Sequence, residues 1–352
     1  MKIVQVQASR SYEVRIGQGL LQEAGAHLRQ VTKAGTAAIL AGDNVFPLYG
    51  EKLIASLRAA GFDVVWHVIP HGERSKNLET YGEVLRFLAD KHLSRSDVLI
   101  ALGGGVTGDL AGFAASTYQR GMGFVQMPTT LLAAVDSSVG GKTAIDLPGG
   151  KNQVGSFYQP ALVLCDIDTL DTLPEDEFRC GCAEVIKYGV LGNDAFFEEL
   201  RAVPIRQQLE HVIQTCVEMK RDIVREDEFD RGLRQLLNLG HSFGHAVEAC
   251  SGFTVLHGQA VAIGMAVIAR AAAARGICTV ETAERLLSLL RQYGLPTEAR
   301  YPLADMVQAV RTDKKISGGS INLIIPETIG RCRIQPVPLA QVGDWMQLGG
   351  IR

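Results

Sequence analysis

Up to about residue 170 the chain alternates short apolar runs with amphipathic segments. The runs TAAILAG, FDVVWHVI, DVLIALGG, GFVQMP and ALVLCDI are six to eight residues long and bounded by turn residues, which predicts strands buried in a sheet. Between them, EKLIASLRAAG and LETYGEVLRFLADKHL repeat apolar positions at helical spacing. This alternation predicts a mostly parallel sheet flanked by helices. The first residues, MKIVQVQASR, alternate as a further strand does. From about Leu173 strand signals almost vanish, and long helical patterns broken by glycine take over, with SINLIIPETIG as the one extended piece. The expectation is an α/β domain over residues 1–170 and a mainly α-helical domain over residues 171–352.

Composition narrows the classes. A chain of 352 residues with 47% hydrophobic and 21% charged residues has the make-up of an ordinary globular protein large enough for two domains. A net charge of -3 gives no general attraction to nucleic acid or to an anionic membrane, and neither is expected as a partner. The most apolar helix, GQAVAIGMAVIARAAAARG, is interrupted by Arg270 and reads as a core helix. Seven scattered cysteines without metal-ribbon spacing do not form a disulfide framework, and a reducing cytoplasm is the expected setting.

The candidate chemistry lies in three places. LIALGGGVTGDLAGFAAST follows a strand and opens a helix, and Gly103, Gly105 and Gly108 satisfy a dinucleotide-binding glycine pattern. No acidic residue follows at the spacing that would take a ribose hydroxyl, so a plain tight turn also explains the glycines. Other strand ends add polar groups: Asp43, then Glu73 and Lys76, then Thr129, Thr130 and Asp136. Acids and hydroxyls of this kind cap turns when alone; four clusters at successive strand ends favour a bound nucleotide.

The second place is RGLRQLLNLGHSFGHAVE. Arg234, Asn238, His241 and His245 are spaced to share one face if the segment is a single helix. His241 and His245 can place two imidazoles on one metal, or one of them can ligate alone, or both can be structural. His257 can point back from the next helix, and Glu184, an acid in the apolar stretch GCAEVIKYG, can supply an oxygen. Two histidines, one glutamate and an open position match the composition of a catalytic zinc site. Third, Lys142, Lys151, Lys187, Lys220 and Arg234 gather in the same segments, which suits an anionic substrate with phosphate or carboxylate groups.

GGGVTGDLAGFAAST, MPTTLLAAVDSSVGGKTAID, GKNQVGSFYQP, GCAEVIKYG, RGLRQLLNLGHSFGHAVE and LHGQAVAIGM resemble, in order, the successive blocks of the 3-dehydroquinate synthases. The resemblance implies a nucleotide-binding α/β domain followed by a helical domain. It implies a phosphate-releasing lyase that acts on 3-deoxy-D-arabino-heptulosonate 7-phosphate, a phosphorylated sugar acid, using NAD and zinc or cobalt. In that chemistry a hydride is removed and later returned, phosphate leaves by β-elimination, and the opened ring closes by an intramolecular aldol reaction.

Matched residue by residue, the resemblance implies metal ligation by Glu184, His241 and His257, with His245 facing the substrate as a proton-relay group. Arg120, Asn152, Lys187, Lys220, Arg234, Asn238 and Lys315 would contact the substrate. Lys142 and Lys151 would lie near both substrate and NAD. Asp43, His71, Gly72, Glu73, Arg74, Ser75, Lys76, Gly105, Val106, Thr107, Gly108, Asp109, Thr129, Thr130, Asp136, Thr169, Leu170, Asp171 and Thr172 would line the NAD site. A homodimer is the family expectation. Related readings are another sugar-phosphate cyclase, such as 2-deoxy-scyllo-inosose synthase, and a metal-dependent polyol dehydrogenase, whose net product would be NADH.

Overall fold

The structure, a computed structural model, describes residues 1–311, 316, 317 and 319–352, so Lys315 lies outside the described residues. The chain divides into two compact units: Met1–Leu173 with Leu209–Phe229, and Pro174–Gln208 with Asp230–Arg352.

The first unit is built on a seven-stranded sheet. Its strands are β1 (Lys2–Val6), β2 (Tyr12–Gly17), β3 (Thr36–Gly42), β4 (Asp63–Ile69), β5 (Val98–Gly103), β6 (Gly123–Pro128) and, after a hairpin of β7 (Lys142–Leu147) and β8 (Gly150–Phe157), β9 (Leu162–Asp166). The order across the sheet is β1-β2-β9-β6-β5-β3-β4, parallel throughout except for the β1–β2 hairpin. The continuous apolar runs are explained by burial on both faces. Ile39, Ile100 and Leu102 join one core with Leu28, Leu53 and Leu57 of helices α1 (Ala24–Val31) and α2 (Phe46–Ala59). Their neighbours Leu40, Leu99 and Ala101 join the opposite core with Val84 and Leu88 of α3 (Leu78–Asp90) and Leu110 and Phe113 of α4 (Gly105–Thr117). Strand β4 differs: it is an edge strand, and Trp66 and Val68, read from the sequence as part of a buried run, are 42% and 38% exposed.

The second unit starts with α5 (Glu175–Gly192), whose first turn holds three acids, favourable at a helix N-terminus, and α6 (Asp194–Ala202). The chain then returns to the first unit as α7 (Leu209–Glu226), which buries Ile213, Val217, Lys220 and Val224 along one stripe and packs on β1, β2 and residues 133–137. A single cut at residue 170 therefore does not describe the chain: α7 has the amphipathic pattern of any surface helix, and only the position of its apolar partner decides where it belongs. The remaining helices are α8 (His241–Cys250), α9 (His257–Ala274), α10 (Val280–Gln292), α11 (Leu303–Arg311) and α12 (Val342–Leu348). A three-stranded antiparallel sheet of β10 (Ile316–Ser317), β11 (Ser320–Thr328) and β12 (Arg331–Pro338) accompanies them. Helix α9 is the core element: α5, α8, α10, α12 and β11 all pack on it. It is long and apolar enough to cross a membrane, and 72% of it is buried inside the unit.

Candidate active site

In the first unit the sheet order creates a crevice. From β3 the chain moves to its neighbour β4, whereas β5 lies on the other side of β3 and leads away to β6. The carboxyl ends of β3 and β5 flank the point where the winding reverses, the place where open α/β sheets bind ligands. The glycine loop belongs to the strand at this switch, although that strand is late in the chain. An acid lies across the switch: Ala41 pairs with Leu102, so Asp43 and Gly104 follow adjacent strand ends. The Asp43 carboxylate accepts hydrogen bonds from His71 Nδ1 at 2.8 Å and from the His71 amide at 3.0 Å, which hold it below the usual carboxylate range.

Gly105, Val106, Thr107, Gly108 and Asp109 form the first turns of α4. A Cβ on Gly108 would stand 2.6 Å from Gln126 Oε1, and one on Gly104 3.0 Å from Thr130, so small residues let the helix sit close to the strand ends. Thr129 is buried and its amide bonds the Gly103 carbonyl, while the Thr130 hydroxyl accepts from the Ala133 amide. Thr169, Leu170, Asp171 and Thr172 form a short helix at the end of β9, where Thr169 and Leu170 are buried and Tyr49 donates to the Thr169 carbonyl.

The segment His71–Lys76 and the β7–β8 hairpin meet in a charged network. Lys76 is 4% exposed, and its Nζ lies 2.5 Å from Asp109 Oδ2 and 2.5 Å from Asn152 Oδ1. Burial alone would lower the Lys76 pKa, but Asp109 and Glu73 outweigh it and raise the value. The Lys76 carbonyl accepts from the Asp146 amide, the Asn152 amide donates to Asp146 Oδ1 at 2.7 Å, and Lys151 lies 3.4 Å from Glu73. Asn152 is held at φ 54, a conformation an L-residue adopts with strain. Gly72 turns the segment at φ 90, Ser75 is buried and donates to the Pro70 carbonyl, and Arg74 and Lys142 are exposed. Asp136 and Lys220, expected near nicotinamide and substrate, form an ion pair, and Lys220 Nζ also donates to the Asp136 carbonyl at 2.7 Å. Lys220 reaches this place because α7 belongs to the first unit.

Arg120 is not brought to this edge. It precedes β6, at the amino end of the sheet, in an exposed turn at φ 63. The six residues of that strand put roughly 17 Å between it and the carboxyl ends.

In the second unit the expected single helix from Arg234 to His245 is not formed. Leu233–Asn238 is a short 3-10 helix, Gly240 turns back at φ 79, and α8 starts at His241. The reason is a close crossing of backbones. A Cβ on Gly264 would lie 1.9 Å from the Gly240 carbonyl oxygen, one on Gly240 2.7 Å from the Val261 carbonyl oxygen, and one on Gly258 2.3 Å from that of Cys180. Glycines thus let α9 touch both α8 and α5, and the crossing gathers the histidines. The His241 ring centroid lies 5.7 Å from His245 and 5.3 Å from His257. Arg234 is 1% exposed and Asn238 half-buried on the short helix, while the neighbouring Leu233 is exposed.

Glu184, His241 and His257 each offer one ligand atom, all within 4.8 Å of one another. Both Nε2 atoms face Glu184 Oε1, at 3.6 Å from His241 and 3.4 Å from His257. The remote nitrogens are engaged: His241 Nδ1 lies 3.1 Å from the Leu239 carbonyl, and His257 Nδ1 lies 3.4 Å from Glu248. Such partners fix the tautomer that leaves Nε2 free to ligate. Lys187, one turn along α5, lies 2.6 Å from Glu184 Oε2, with both side chains almost fully buried. Burial alone would lower the His257 pKa, but Glu184 and Glu248 outweigh it and raise it to about 9. A cation at this point would take the place of that proton. Two imidazoles and a carboxylate, convergent and oriented from behind, fit a divalent metal and leave coordination positions open.

Sequence reasoning missed Glu248 and Asp146. Glu248 was detectable as an acid three residues after His245 and seven after His241 in an apolar helix. Asp146 acts through the folding of the hairpin, which no local pattern announces.

Family models of the N-terminal and C-terminal parts of 3-dehydroquinate synthase match residues 66–180 and 181–316. A 3-dehydroquinate synthase of Pelobacter propionicus is 46% identical over 330 residues, covering 92% of each chain. One of Streptococcus suis is 40% identical over 355 residues, covering 99% of this chain and all of the relative. Among solved structures, the 2-epi-5-epi-valiolone synthase of Streptomyces hygroscopicus with NAD and zinc bound superposes with a TM-score of 0.88 at 28% identity, covering 98% of each chain. The chain belongs to the 3-dehydroquinate synthase family.

Proposed function

We propose that this chain converts 3-deoxy-D-arabino-heptulosonate 7-phosphate to 3-dehydroquinate and phosphate, on the route to chorismate, with NAD and one divalent metal as resident cofactors. The observation that carries the reading is the convergence of Glu184, His241 and His257, in a chain of this family whose glycine loop lies at the sheet's switch point. When bound, NAD supplies a reversible hydride acceptor and the metal supplies Lewis acidity toward the substrate's hydroxyls.

The chain's own groups do the rest. In the first unit, Asp43, His71–Lys76, Gly105–Asp109, Thr129, Thr130, Asp136 and Thr169–Thr172 hold the nucleotide, with helix-start amides of α4 suited to a diphosphate. Lys142, Lys151, Asn152 and Lys220 offer cations and an amide to substrate oxygens from the same unit. In the second unit Lys187 pairs with Glu184, and Arg234 and Asn238 offer donors to phosphate or carboxylate. His245, outside the Glu184 group, moves protons. Imidazole and carboxylate donors suit zinc and cobalt alike. The seven free thiols support a cytoplasmic enzyme; the homodimer is proposed on the sequence resemblance.

The test is phosphate release from that substrate with NAD, before and after metal is stripped by a chelator. Release that stops on stripping and returns with zinc or cobalt is expected; release that ignores the chelator overturns the metal reading.

A further inference from the structure

The His257 imidazole is strung between two carboxylates. Its Nε2 faces Glu184 Oε1 at 3.4 Å, and its Nδ1 faces Glu248 Oε1 at 3.4 Å and Oε2 at 3.5 Å. Glu248 is 2% exposed, on the same face of α8 as His241 and His245. Burying a carboxylate is unfavourable unless it is paired, so its place deep in an apolar helix calls for a role. The two histidines of the Glu184 group also differ in their support: His241 Nδ1 meets a neutral carbonyl, whereas His257 Nδ1 meets an acid. Both rings open their helices, His241 in α8 and His257 in α9, but the His257 side chain is 34% exposed against 13% for His241, so less surrounding packing holds it. A ring in that position needs an orienting partner more than His241 does.

We propose that Glu248 is the positioning residue of the metal centre: it accepts the Nδ1 proton of His257, fixes that ring's tautomer and direction, and so sets how tightly the centre holds its cation. The inference rests on the metal reading given above. Partners of ligating histidines contribute about 10- to 100-fold in metal affinity. Glu248 can also be grouped with His245 and His257 as a ligand set of its own, and the His257 nitrogen that faces Glu248 is Nδ1. One ring cannot donate its Nδ1 proton to Glu248 and coordinate through Nδ1 at once, so the two arrangements predict different stoichiometry.

The experiment titrates the metal-stripped full chain with Co²⁺ alone, recording Kd, stoichiometry and the visible absorption bands, for the parent, Glu248→Gln and Glu248→Ala. NAD binding and thermal unfolding report on folding. One Co²⁺ per chain is expected in the parent, with Kd weakened about 10- to 100-fold in Glu248→Ala and less in Glu248→Gln, whose amide oxygen still accepts the proton. The absorption bands should shift in Glu248→Ala as the ring loses its direction. If Glu248→Ala does not fold, the Gln variant decides: a measurable weakening supports the proposal, and parent-like Kd and bands overturn it. Two Co²⁺ in the parent and one in Glu248→Gln would overturn it in favour of direct ligation. A parent that binds no Co²⁺ sinks the metal reading itself, which is a separate outcome.

Discussion

Replacing Gly264 by alanine tests whether backbone crossing gathers the metal ligands. The added Cβ would meet the Gly240 carbonyl oxygen at 1.9 Å, the Gly240 carbonyl carbon at 2.8 Å and the Gly244 amide at 2.8 Å. All three are backbone atoms, so no side chain can swing away. Ordinary contact requires at least 3.4 Å, and α8 and α9 must therefore part by about 1.5 Å at the crossing. Overpacking of this kind costs about 1–3 kcal/mol, and a clash with backbone belongs at the upper end. In a domain of this size that lowers Tm by roughly 6–12 °C. The same displacement moves His241 relative to His257, so Co²⁺ affinity should fall at least tenfold, while NAD binding to the first unit is kept. Gly343→Ala, within α12, is the control: its Cβ would make an ordinary 3.5 Å contact with Val307 of α11, and alanine favours helix. Differential scanning calorimetry and Co²⁺ titration of both variants give the answer. A Gly264→Ala protein with Tm and Co²⁺ affinity indistinguishable from the control would refute the argument.

Three further outcomes are expected. Lys187→Met removes the nearer of the two cations, Lys187 and protonated His257, that face the buried Glu184 carboxylate, and should destabilise the metal-stripped protein by about 3 kcal/mol in urea unfolding, with zinc recovering part of the loss; equal stability with and without the lysine would refute the pairing. Lys76→Met removes the cation shared by Asp109 and Asn152 and should also cost about 3–5 kcal/mol and weaken NAD, measured by unfolding and by fluorescence titration, whereas unchanged NAD affinity would detach the network from the nucleotide site. The His257 pKa is raised from 6.5 to about 9 in the metal-free fold, so the protonated ring stabilises the fold fully below pH 6.5 and that contribution fades as pH rises through 9. Metal-free stability should therefore decline over that window while zinc affinity climbs, and a flat affinity profile from pH 6.5 to 9 would contradict the shift.

The strands and their sheet were legible because two-sided burial writes itself as unbroken apolar runs, as in Thr36–Gly42 and Val98–Gly103. Strand β4 has a similar run and lies at the edge, a fact set by sheet order, which no local pattern holds. The glycine loop was legible as a loop. Asp43, across the switch from that loop, was visible only as an acid at a strand end, because the switch between β3 and β5 is a property of topology. His241, His245 and Glu184 stood out as polar groups in apolar segments, yet the helix expected to align Arg234 with His245 breaks at Gly240. Heptad-like spacing cannot register that a carbonyl of α9 occupies the space where a Cβ would stand. Lys220 was read as a candidate but placed in the wrong half, since α7 looks the same whichever core it covers.

The central claim is that NAD works as a catalyst in a phosphate elimination. It is tested most directly by following phosphate and NADH absorbance together in one reaction of the metal-loaded protein with 3-deoxy-D-arabino-heptulosonate 7-phosphate and NAD. Continuous phosphate release over many turnovers with no net rise in NADH is expected. NADH accumulating in step with substrate consumption, with or without phosphate, would contradict it and mark the protein as a dehydrogenase.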